Sequence, residues 1–271
     1  MPAKEKIRQE AEERSAPAPT VVYEAIYLEG KDELERGTSA LFLSALAAGL
    51  SMGFSLITEG LLRAGLPDTA WRPLVSKLGY SMGFLIVVLG RQQLFTENTL
   101  TVMLPFLNHK NRFVLAKVLR LWGIVVLGNL LGALVIAWVI GHTAVFDAHH
   151  QAAMIDISKK GMDDPFGTIL LRGIFAGWLI ALMVWLMPAS QSARVLVIIL
   201  ITYVVGLAEL AHVIAGSVDK LLLVTTGQMS VGGFLMHFLL PALFGNIIGG
   251  VSLVAALNHG AAGRAQTQAS A

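Results

Sequence analysis

The chain has no cysteine. Disulfides, thiolate metal centres and cysteine nucleophiles are therefore excluded. Charge is scarce as well. Asp, Glu, Lys and Arg make up 14% of the 271 residues, against about 25% in an average soluble domain. The net charge is +2, too small to suggest a nucleic-acid partner. No HExxH, nucleophile elbow or P-loop occurs, and no Asn-Pro dipeptide. A metalloprotease, an α/β-hydrolase and a P-loop nucleotide hydrolase thus have no motif here. The first 38 residues are polar and charged, with no apolar core behind them, so they do not read as a cleavable leader.

What the chain has is apolar length. Hydrophobic residues make up 55% and the mean hydropathy is +0.68. That identifies an integral membrane protein with no enzymatic motif. Residues 1–38 read as a cytoplasmic tail, mobile to Pro19 and then a short interfacial helix over Val21–Arg36. Spans follow at about 39–57, 118–140, 169–187 and 234–257, each near the 20 residues that cross a bilayer core. Residues 259–271 read as a second cytoplasmic tail.

Two further apolar runs are interrupted. Leu78–Leu89 stops at a polar break, Gly90–Asn98, and resumes to Leu107. The run beginning near Arg194 stops at Glu209–Gly216. Polar groups at membrane depth are costly and mark functional sites. Non-helical backbone at that depth survives only where protein or a cavity surrounds it. A gapless alignment sets Gly90 on Gly206, Gln93 on Glu209, Leu94 on Leu210 and Thr96 on His212. Gly128-Asn129-Leu130-Leu131-Gly132 likewise matches Gly245-Asn246-Ile247-Ile248-Gly249. The halves therefore read as duplicates of three spans each. An odd number inverts the second copy, the arrangement in which paired broken helices build a midplane site. The expected fold is an all-α membrane protein with six transmembrane helices in two inverted three-helix repeats, helices 2 and 5 interrupted as in aquaporins. Lys and Arg number 12 on the side of both termini and seven on the other, with Arg91 inside a span. The positive-inside rule then puts both termini in the cytoplasm.

A lone histidine in an apolar span is more often packed than working. At a break, and paired by the repeat with Thr96, His212 reads as a site residue instead. Thr96 could donate to His212 or to a substrate oxygen, or cap a half-helix starting near Asn98. Glu97 and Glu209 lie near the same depth, and Arg91 is expected to brace one of them in a buried ion pair. Asn129 and Asn246 read as helix-packing hydrogen bonders beside close-packing glycines. His149, His150, Lys159 and Lys160 read as solvated loop residues.

Leu94-Phe95-Thr96 with Asn98, the His212 break, the two Gly-Asn-x-x-Gly motifs and six spans resemble the formate/nitrite transporter family over about Ser39–Leu257. The resemblance implies a homopentamer in a bacterial inner membrane, each protomer with its own pore. That pore would pass small monovalent anions such as formate, nitrite, hydrosulfide, acetate or lactate, often with a proton and without a cofactor. By position, Thr96 matches the family's loop threonine and His212 its central histidine. Leu94 and Phe95 match one hydrophobic constriction, and Val205 falls at the other. The chain departs at four places. Ala211 precedes His212 where glutamate is usual, Gly177 stands where an asparagine is common, and Arg91 and Glu97 replace small residues. Three rivals accompany the anion pore: a neutral-solute channel, which lacks its paired Asn-Pro-Ala breaks; a scaffold or sensor locked by a midplane ion pair; and, least supported, a membrane enzyme.

Overall fold

The computed structural model describes residues 16–269, side chains at 255 and beyond 257 excepted. The tail expected before residue 16, and most side chains of the C-terminal tail, lie outside the described residues. Every described element is helical. Helix α1 covers Pro19–Glu35, α2 Thr38–Gly65 and α3 Arg72–Leu89, the last with a 3-10 turn at Lys77–Tyr80. Two short helices follow, α4 Phe95–Thr101 and α5 Met103–His109. Then come α6 Arg112–His142, α7 Ala148–Ser158, α8 Phe166–Ser190, α9 Arg194–Leu207 and α10 Val213–Thr225. Helix α11 runs from Val231 through a π-helical stretch, Phe234–Leu239, to Ala269.

Five helical stretches are long and apolar enough to cross a membrane: Thr38–Gly65, Arg72–Leu89, Arg112–His142, Phe166–Leu207 and Val231–Val254. The fourth has 42 residues, about 63 Å of helix at 1.5 Å per residue and twice a 30 Å bilayer core. It is not straight. Gln191, with φ of 37°, turns the chain between α8 and α9, and the two helices pack on each other. Large apolar side chains such as Leu127, Trp138, Phe175 and Met236 are exposed on the outside, while Thr96, Asn129, Thr202, His212, Ser217 and Asn246 are wholly or almost wholly buried. A lipid-facing protein distributes its polarity in this way.

The most extensive helix packing is between α2 and α6 and between α8 and α11. Small residues set both contacts. A Cβ on Gly49 would run into the backbone of Asn129, and one on Gly177 into the backbone of Asn246. Gly177 is therefore the counterpart of Gly49, which explains the fourth-span departure as a packing choice. The expected interfacial helix is α1; it buries Val22, Ile26, Gly30 and Leu34 against α5, α8 and α4. The expected loop around His149 and His150 is instead helix α7, capped by the Asp147 carboxylate accepting from the His150 N–H at 2.9 Å. That hydrogen bond holds the Asp147 carboxyl below the usual range.

Candidate functional site

The two breaks are built alike. In the first, Gly90 N–H donates to Ile86 O, Arg91 N–H to Val88 O and Gln92 N–H to Val87 O. In the second, Ala208 N–H donates to Val204 O, Glu209 N–H to Gly206 O and Leu210 N–H to Val205 O. Both are Schellman ends, with a left-handed residue just past the helix. That residue is Arg91, φ 49°, in one and Glu209, φ 51°, in the other. This register corrects the sequence alignment. Arg91 corresponds to Glu209, and Leu94 rather than Thr96 corresponds to His212. The gapless match followed glycine and leucine look-alikes, whereas hydrogen-bonded helix ends decide the true register.

Past each left-handed residue the chain runs extended and starts a second helix. Leu94 is the N-cap residue of α4 and His212 that of α10. Asn129 Oδ1 accepts from Phe95 N–H at 3.0 Å, and its Nδ2 donates to Gln93 O and Ala45 O at 2.8 Å each. Asn246 Oδ1 accepts from Val213 N–H at 2.9 Å, and its Nδ2 donates to Ala211 O at 2.8 Å and Gly173 O at 2.9 Å. The two asparagines thus satisfy the irregular backbone of each break, besides packing helices. Buried backbone groups require such partners.

Thr96 and His212 meet. Thr96 Oγ1 lies 2.7 Å from His212 Nε2. The other ring nitrogen, Nδ1, accepts from the Ala215 N–H at 3.1 Å. A nitrogen that accepts carries no proton, so the ring's proton sits on Nε2 and is donated to Thr96 Oγ1. The Thr96 hydroxyl hydrogen is left to point elsewhere. Thr96 is not the N-cap of a helix near Asn98; it sits one residue inside α4, and its side chain is committed to His212. Phe84, fully buried, packs edge-on against the imidazole with centroids 4.8 Å apart. Sequence reading missed Phe84, because one aromatic in an apolar run carries no local signal.

Two pockets flank this pair. One is lined by His212, Val205, Glu209, Lys77, Lys160 and Asp219 among others, with Lys220 and Arg172 in the wall. The second is lined by Leu94, Glu97, Asn98, Arg91 and Gln92, with Glu29 and Glu33 of α1. Thr96 lines neither; it is fully buried, bonded to His212 of the first pocket and next in the chain to Glu97 of the second. Phe95 is buried against Trp122, ring centroids 5.8 Å apart, and also lines neither pocket. Asn98 donates to Gln93 Oε1 at 3.0 Å and to Leu94 O at 3.2 Å.

The expected midplane ion pairs do not form. Arg91 is exposed and pairs with Glu29 of α1 at 2.9 Å. Glu209 pairs with Lys160 at 2.5 Å, so Lys160 is not a free loop cation. The left-handed geometry explains both, since each charge sits where the chain turns out of its helix. Glu97 has no ion-pair partner among the described residues, and its Oε1 is buried without a hydrogen bond. A buried pair does exist at Lys77 and Glu59, 2.8 Å apart with side chains 9% and 4% exposed. Lys220 Nζ is held by Ser158 O at 2.6 Å and Lys160 O at 2.5 Å.

The family profile described as formate/nitrite transporter matches residues 20–260. The inner membrane protein YfdC of Escherichia coli K12 is 40% identical over 248 residues, 92% of this chain and 80% of that protein. Among solved structures, an FNT family ion channel superposes with a TM-score of 0.76 at 18% identity, covering 87% of this chain and 96% of its own. A pentameric formate channel with formate bound gives 0.68 at 21% identity, covering 80% and 94%.

Proposed function

Because this chain belongs to the formate/nitrite transporter family, we propose that it is a channel or transporter for small monovalent weak-acid anions, formate or nitrite among them, that move with a proton. The reading includes six crossings arranged as two inverted three-helix repeats, assembly as a homopentamer, and a place in the bacterial inner membrane with both termini cytoplasmic. The shared Schellman ends and the Asn129 and Asn246 braces support the repeat. The corner at Gln191 supports counting α8 and α9 as separate crossings. The pentameric relative and the exposed apolar exterior support assembly.

One observation carries the functional reading: the Thr96–His212 hydrogen bond at 2.7 Å, with His212 lining one pocket and the residues on either side of Phe95 and Thr96, Leu94 and Glu97, lining the other. A charge at the bilayer centre costs at least about 2.5–3.5 kcal/mol on insertion scales. A neutral acid avoids that barrier. Here a threonine hydroxyl with a free hydrogen, oriented by a histidine, can donate to a permeant oxygen while apolar side chains exclude water. The scaffold reading required a fixed ion pair across the site, and Arg91 and Glu209 pair outward instead.

Proteoliposomes holding the purified protein test this by anion-driven swelling or current with formate, nitrite, acetate and lactate across pH. His212→Phe is expected to abolish the response for at least one anion that the wild type carries. Equal behaviour of the two proteins with every small anion would remove His212 from the mechanism.

A further inference from the structure

We infer that Glu97 exchanges a proton with the permeant at the mouth of the Leu94 pocket, an inference that rests on the weak-acid reading above. Glu97 sits in the first turn of α4, directly after Thr96, and lines the pocket that ends at Leu94. Its Oε1 is buried and accepts no hydrogen bond among the described residues. The one cation beside it on the break, Arg91, is committed to Glu29. A second buried acceptor, Gln92 Oε1, lines the same pocket and is also without a partner.

A protonated Glu97 offers a bare anion the O–H donor it needs. An ionised Glu97, like Gln92 Oε1, offers an acceptor to the O–H of a protonated acid. Nothing else in the pocket offers comparable proton chemistry. The other titratable and charged groups facing Glu97 are Glu29 and Glu33 from α1, Arg91 from the break and Arg194 from the start of α9. Glu29 is already paired with Arg91 and Glu33 with Arg36, and the arginines stay protonated at any working pH.

The step balances. Inbound, the O–H bond of the Glu97 carboxyl breaks and its proton bonds to an oxygen of the anion. The neutral acid then passes Leu94 towards Thr96, and hydronium from the pocket's water returns a proton to the Glu97 carboxylate. Outbound, the acid's O–H bond breaks, the proton goes to the Glu97 carboxylate, the anion leaves, and the Glu97 carboxyl then passes that proton to solvent water as hydronium. Thr96 and His212 hold the neutral acid in transit, and Glu97 makes and unmakes it at the mouth.

The test compares wild type, Glu97→Gln and Glu97→Asp in proteoliposomes, reading formate and nitrite flux from pH 5 to 8 with an internal pH dye. Glutamine keeps the size and polarity of the side chain and removes its proton. Flux through Glu97→Gln is expected to fall about 100-fold at neutral pH, the low end for a positioned proton-transfer group. The loss should shrink as the pH falls, because the bulk solution then supplies ready-made acid. Glu97→Asp is expected to keep the wild-type pH profile at reduced rate. Wild-type flux in Glu97→Gln at every pH overturns the inference. So does an equal loss in both variants that does not change with pH, which would make position 97 structural. If the wild type itself moves no anion, the weak-acid reading fails, a result distinct from either.

Discussion

Asn246→Leu should cost this fold more than almost any other volume-conserving change. Asn246 is fully buried and makes three hydrogen bonds. Gly173 O lies within α8, but Val213 N–H is the first of α10, with no partner inside that helix, and Ala211 O belongs to the irregular stretch of the break; Asn246 holds both. Leucine fills the same space and leaves both unpaired. Orphaning a buried backbone group costs about 1–3 kcal/mol, so the two together cost about 2–6 kcal/mol. A typical fold has about 5–15 kcal/mol in total. Interhelical hydrogen bonds in membranes average only about 0.6 kcal/mol in double-mutant cycles, but those sites find new partners, whereas Ala211 O has none within reach of a leucine. Thermal unfolding of the purified protein in detergent measures the effect. At about 2–4 °C per kcal/mol for a chain of this size, the midpoint should fall by at least about 4 °C. Asn246→Asp keeps an acceptor for Val213 N–H but sets a carboxylate oxygen against Ala211 O and Gly173 O in a fully buried place, so it should be no more stable than Asn246→Leu. An Asn246→Leu protein as stable as wild type would refute the claim that asparagine holds the break together.

Two further changes probe the frame around the site. Lys77→Met alone leaves the Glu59 carboxylate buried and unpaired and should destabilise by about 3–5 kcal/mol, whereas the Lys77→Met/Glu59→Leu double variant should recover most of that; a double-mutant cycle by thermal unfolding checks it, and additive losses would contradict it. Gly177→Ala drives a Cβ into the Asn246 backbone and should cost about 1–3 kcal/mol as overpacking, while Gly37→Ala, which meets nothing within 4 Å, should leave the unfolding midpoint unchanged.

Apolar runs and polar breaks were enough to find the long helices and both interruptions, and they brought Thr96 and His212 together through a repeat register that the hydrogen-bonded helix ends correct. Those features are written locally, in hydropathy and in a repeated Gly-Asn motif. The register between the breaks was not legible. It depends on which residue adopts a left-handed backbone, and Arg91 and Glu209 carry no glycine signal there. The ion pairs were misread for a related reason. Sequence depth placed Arg91 near Glu97, but a left-handed turn rotates the side chain away, and Arg91 finds Glu29 on α1, 62 residues earlier. Lys160 with Glu209, 49 residues apart, is equally a product of folding. The role of α7 was hidden because its length, 11 residues, is too short to stand out from a loop.

The left-handed residues tie these findings together. A non-glycine residue in that conformation is disfavoured by roughly 1–2 kcal/mol, and glycine would remove the strain at each break. Both positions instead hold a charge, and both charges reach outward to an element that packs against the break: Arg91 to Glu29, Glu209 to Lys160. Exposed ion pairs contribute little energy, so the pairs do not repay the strain through stability. What they fix is direction. With the buried asparagines pulling each break from inside and the ion pairs anchoring it outside, Leu94 and His212 are held at the two helix starts, and Thr96 one turn edge away comes within 2.7 Å of the imidazole. The mouths are then left unlike. Around the Val205 pocket the cations are matched: Lys77 pairs with Glu59, Lys160 with Glu209 and Arg172 with Asp164, and Lys220 is held by Ser158 O and Lys160 O. Around the Leu94 pocket Arg91 pairs with Glu29 and Arg36 with Glu33, but Glu97 has no ion-pair partner among the described residues. The difference between the two pockets is therefore one of pairing: the first matches its charges, and the second leaves one buried carboxyl alone, the group to which we assign proton exchange.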